Sequence, residues 1–135
     1  MTYDTQKLTG LRDRVRAATG PDRELDCETA VLLDGFIRQP GKYEEDEFDY
    51  CYMDGGDLIT PGYGGDQMVH YYTASVDAAL ALVERVLPRS DLQFIRDHGE
   101  WDVQIGDAPP SVGLPLPLAI LDALLTALIE RDGAS

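Results

Sequence analysis

Between Tyr43 and Glu84 the chain has no lysine and no arginine, while ten acids occur there: Glu44, Glu45, Asp46, Glu47, Asp49, Asp54, Asp57, Asp66, Asp77 and Glu84. Over all 135 residues, eleven basic side chains stand against 25 acidic ones, a formal net charge of −14. Nucleic-acid binding depends on cationic side chains displacing counterions from phosphate. Direct binding of DNA, RNA or an anionic membrane by this region is therefore disfavoured. A basic partner is favoured, because opposite fields speed encounter and fix orientation.

Cysteine is scarce too. Cys27 and Cys51 are alone and form no CxxC, so they read as thiols in a reducing cytosol before they read as one disulfide. No apolar run approaches the roughly 18 residues of a spanning helix, and "MTYDTQKLTGLRDR" lacks the apolar centre of a signal peptide. The expectation is a soluble protein of a bacterial host cytoplasm.

Catalytic and metal signatures are missing in the same way. None of the four serines stands in G-x-S-x-G. "PGYGGD" (61–66) has the glycines of a phosphate loop without its Lys-Ser/Thr ending. Asp46, Asp49, Asp54 and Asp57 miss the alternating spacing of a calcium loop. A zinc site from His70, His98, Cys27 and Cys51 has no motif behind it. Cys51 stands between tyrosines among acids, a setting that disfavours the thiolate. The reading is of a protein that is not an enzyme, with no cofactor and no metal.

What is present is a folded chain of one-domain length, 44% hydrophobic and 27% charged. Leu8, Leu11, Val15 and Ala18 recur at helical spacing, and Pro21 suits the first turn of a second helix with Leu25, Leu32 and Phe36 as its stripe. Residues 37–70 show no helical period and are broken by Pro40, Pro61 and six glycines, with "YCYM" and "DLIT" as short strands around "DGG". Ser75 or Thr73 caps a third helix with Val76, Leu80, Val83 and Leu87 on one face, ended by Pro88. "LQFIR" and "WDVQIGD" then form a hairpin across Asp97-His98-Gly99-Glu100. Pro117 opens a last helix carrying Leu121, Leu124, Leu125 and Leu128. The predicted fold is α+β, a single domain over 1–135 with helices on a small antiparallel sheet as an α-β-α sandwich. Its element order is α-α, an acidic irregular section with short strands, α, β-β, α.

The blocks "ATGPDRELD" (18–26) and "YYTASVDAALALVERVLP" (71–88), the Trp101 strand and the closing "LPLAILDALLTALIE" resemble, in order, the phage ABA sandwich domain family. The resemblance covers about half of the chain. It implies a helix–sheet–helix sandwich of phage or prophage origin, and it transfers no catalytic residue. The acidic segment is where the chain departs most from that pattern.

In "GKYEEDEFDYCYMDGGD" (41–57), seven carboxylates alternate with Tyr43, Phe48, Tyr50 and Tyr52. Interfaces enrich aromatics, and spaced carboxylates can occupy Arg and Lys positions that phosphates otherwise fill. The expected partner-binding residues are Glu44, Glu45, Asp46, Glu47, Asp49, Tyr50, Tyr52, Asp54 and Asp57. The expected function is non-enzymatic: occlusion of a basic nucleic-acid-binding site on a host protein, such as a CRISPR or other defence effector. Two alternatives stand beside it. One is an acidic immunity protein that neutralises a basic toxin; the other is a binder of small ligands such as nucleotide second messengers, using the basic hairpin around Arg12, Arg16 and Arg23.

Overall fold

The computed structural model describes residues 3–33, 36–38, 51–53, 58–59 and 70–133. In chain order these form α1 (Thr5–Ala17), α2 (Arg23–Leu33), β1 (Phe36–Arg38), β2 (Cys51–Met53), β3 (Leu58–Ile59), α3 (Val76–Val86), β4 (Leu92–Asp97), β5 (Glu100–Ile105) and α4 (Leu116–Gly133). The fold is α+β, with helix packed on a small antiparallel sheet, as the periodicity predicts.

The starts of α1, α2 and α3 each have a side chain that satisfies free amides. Asp4 Oδ1 accepts from Gln6 N at 2.9 Å and Lys7 N at 3.4 Å. At α2 the same task falls to Asp22, which accepts from Glu24 N at 2.9 Å and Leu25 N at 3.2 Å. Pro21 thus precedes the cap instead of entering the first turn. Ser75, the first of the two caps expected for α3, accepts from Ala78 N at 3.2 Å.

The core gathers on α4. From Leu118 to Thr126 every residue of this helix is buried. A helix apolar nearly all round is enclosed from several sides, and α4 packs against α1, α3 and β5. The four leucines expected along one face are therefore only part of its contact surface, which also includes Leu118, Ile120 and Ala123. On α1 the buried residues are Leu8, Leu11 and Val15 of the expected stripe, while Ala18, its fourth member, is the half-buried C-cap just past the helix end. On α3 the centre of the buried stripe is Ala79, Leu82 and Val83, so the stripe is turned from the one expected and leaves Val76, Leu80 and Leu87 at its margin.

β4 and β5 pair in antiparallel register from Leu92↔Ile105 to Asp97↔Glu100. Their turn has positive φ at both central residues, His98 at 52° and Gly99 at 84°, the primed geometry that matches the right-handed twist of a hairpin. Val103 and Ile105 are buried, and Trp101 is half-buried beneath its cross-strand partner Arg96, whose Cζ lies 5.9 Å from the ring centroid. Val103 also exchanges two backbone hydrogen bonds with Ser111.

A second antiparallel sheet has the order β1-β2-β3. β2 and β3 lie inside the expected "YCYM" and "DLIT". β1 was not expected, because Phe36 read as the end of the α2 stripe, whereas α2 stops at Leu33.

Candidate functional site

The five acids Glu44, Glu45, Asp46, Glu47 and Asp49 lie outside the described residues, in the chain between β1 and β2, and so does Tyr50 just before β2. Asp54 and Asp57 likewise lie outside them, between β2 and β3. Only Tyr52 falls on a described element. It stands on the middle strand, opposite Ile37 of β1 and Leu58 of β3. A middle strand is paired on both edges, so the Tyr52 backbone belongs to the sheet itself.

Of the three arginines expected to offer a ligand site, Arg12 and Arg16 are described, and both are engaged within the fold. Spaced four apart on α1, Arg12 and Arg16 both turn to α4. Arg16 Nε donates to Asp122 Oδ1 at 2.9 Å, and Arg12 Nη1 donates to Thr126 Oγ1 at 3.5 Å. The two contacts run in opposite directions along the helices, as an antiparallel α1–α4 pair requires. Arg23 begins α2, and its side chain lies outside the described residues.

Arg14 turns the other way, to α2. It is hydrogen-bonded to Glu28 and lies 3.9 Å from Glu24. The Glu28 hydrogen bond, with the charges of Glu28, Glu24 and Asp22 behind it, raises the Arg14 guanidinium above its ordinary pKa against a smaller opposing effect of burial. Two cations of this hairpin, Arg14 and Arg16, are thus matched by acids of the same fold.

A buried polar knot fixes α2 to the segment before α3. Asp26, 1% exposed, accepts the Thr73 N–H and the Thr73 O–H, each at 2.8 Å. The Thr73 hydroxyl in turn accepts from Asp22 N at 2.8 Å. Thr73 therefore holds the α2 start from outside and does not cap α3.

Between α1 and α2 lies a groove of about 520 Å³ lined by Lys7, Gly10, Leu11, Arg14, Glu28, Val31 and Leu32. The apolar periods of the two helices do not announce it in the sequence. Its signal was Gly10 inside an otherwise helical pattern. Among the described residues no three His, Cys, Asp or Glu side chains group as metal ligands. His70 is exposed and meets the Tyr72 ring edge-on at 5.8 Å, and His98 occupies the exposed hairpin turn. Cys27 on α2 and Cys51 on β2 have side chains outside the described residues. Among the described residues, no helix is long and apolar enough to cross a membrane.

The described residues form an α+β fold with an open, mostly apolar groove between its first two helices. No family model, no curated protein and no solved structure matches the chain.

Proposed function

We propose that this is a non-enzymatic binding protein, phage- or prophage-encoded, whose acidic segment occludes a basic nucleic-acid-binding site on a host protein such as a CRISPR or other defence effector. The observation that carries the reading is the separation of charge. Arg14 and Arg16 are each held by acids of the same fold, while the 42 residues from Tyr43 to Glu84 hold ten acids and no cation. The local pairs neutralise themselves, so the excess negative charge is concentrated where no lysine or arginine offsets it. A one-signed stretch of chain of this kind attracts a basic groove and competes with phosphate for it. The order of the sequence blocks that resemble the phage ABA sandwich domain family supports the phage origin.

The test is capture from bacterial lysate with the full chain as bait. The expected partners are basic nucleic-acid-binding proteins, captured at about 0.1 M salt and released near 0.5 M, where the Debye length falls to a few ångströms. The captured partner should also lose its grip on nucleic acid when the protein is added. Partners with no basic bias, held equally well at both salt concentrations, would sink the electrostatic reading.

A further inference from the structure

The groove between α1 and α2 has a composition that the acidic segment does not account for. Its volume of about 520 Å³ falls within the range of small-molecule sites, roughly 300–1,000 Å³. Leu11, Val31 and Leu32 form its apolar wall, and among the described residues no aromatic ring lines it. At one end Arg14 and Glu28 close across the two helices. Lys7, one turn beyond Gly10, is exposed and has no side-chain partner among the described residues.

Gly10 supplies the independent observation. A glycine inside a helix costs about 1 kcal/mol relative to alanine. Its backbone is not in the left-handed region, and a Cβ built there meets nothing within 4 Å. Packing within the fold therefore gives no reason for a glycine at this position. A groove that must stay open above it does, since any side chain here would stand in the space between the helices.

We propose that this groove binds an amphipathic monoanion, a carboxylate with an unbranched aliphatic tail, its head at Lys7 and its tail laid across Gly10 on Leu11, Val31 and Leu32. The chemistry selects this class over nucleotides. Arg14 is already matched by Glu28, so among the described lining residues Lys7 is the ammonium left to meet a negative charge, and none of them offers a ring on which a base could stack. Lys7 and Arg14 are seven residues apart on one helix; at 1.5 Å per residue that is about 10 Å, room for a saturated tail of roughly eight to ten carbons.

The experiment is calorimetric titration of the full chain with hexanoate, octanoate, decanoate and decylamine, each below its micellar concentration. Saturable binding of the carboxylates is expected, tightening roughly tenfold for every two methylenes added, with no comparable binding of decylamine. Lys7→Gln should weaken decanoate several-fold. Gly10→Leu should abolish binding while the melting temperature holds or rises, because leucine is the better helix former and its Cβ meets nothing within 4 Å. Gly10→Ala, which fills only the first carbon's worth of space, should bind with intermediate affinity. Failure of decanoate to saturate, decylamine binding equal to decanoate, or full affinity in a folded Gly10→Leu variant overturns the proposal. Capture of a basic partner by Gly10→Leu is expected to be unchanged, so the two readings fail separately.

Discussion

Arg16 and Asp122 share one 2.9 Å contact but stand in different surroundings. Asp122 is 3% exposed on the central helix, whereas the Arg16 side chain is about half exposed at the α1 surface. Removing the arginine leaves a buried carboxylate uncompensated, while removing the carboxylate frees a guanidinium that already reaches water. Arg16→Leu should therefore lower stability by about 3 kcal/mol, and Asp122→Leu, which puts an apolar chain among apolar neighbours, by no more than about 1 kcal/mol. Urea unfolding of the two variants measures the asymmetry. Equal losses would mean that the pair acts as an ordinary surface bridge. Neither partner is legible as one in the sequence: they are 106 residues apart, and Arg16 reads as part of a basic hairpin open to a small ligand.

At the scale of elements, a helix announces itself in sequence through its period, but its neighbours are announced only if one face is polar. The α1 stripe of Leu8, Leu11 and Val15 has such a polar face, and it was readable. α4 is apolar nearly all round, so its existence was readable but its position between β5 and the helices α1 and α3 was not. The hairpin β4–β5 was legible because alternation and turn chemistry agree, with Gly99 supplying one of the two positive φ angles. β1 was not, since a three-residue strand carries no period. The Asp26–Thr73 knot was hidden for a further reason: Asp26 looked like an ordinary helix acid and Thr73 like a cap, and only the fold brings them together. Thr73→Val removes the hydroxyl that donates to Asp26 and accepts from Asp22 N, with nearly unchanged volume. It should cost about 2 kcal/mol, the range for a buried charged acceptor losing a donor. Thr73→Ser keeps that hydroxyl and should cost about half as much. Thermal unfolding of both separates the hydroxyl from the methyl. A Thr73→Val variant as stable as the parent would show that the knot contributes nothing.

For the whole molecule the question is whether the negative charge acts as a field or through particular side chains. Changing Glu44, Glu45, Asp46, Glu47 and Asp49 to Gln or Asn removes five of the 25 acids at one place in the chain. The buried cluster is drawn from α1, α2, α3, β5 and α4, together with Tyr72, and the five acids lie outside every apolar stripe in the sequence. The melting temperature should therefore hold, or rise a little as self-repulsion falls. Partner capture should fail, first through a slower association rate and a flatter salt dependence, as the loss of peripheral charge predicts. Tyr52 marks the other outcome. Its place on the middle strand, opposite Ile37 and Leu58, makes it part of the β1-β2-β3 sheet, so Tyr52→Ala should lower the melting temperature. If it also anchors the partner, dissociation speeds up as well. Measuring association, dissociation and unfolding for both variants assigns each effect to its source. An unchanged affinity in the five-acid variant would make this stretch a solvated connection between β1 and β2, and the acidic partner surface would then have to lie elsewhere among the remaining carboxylates.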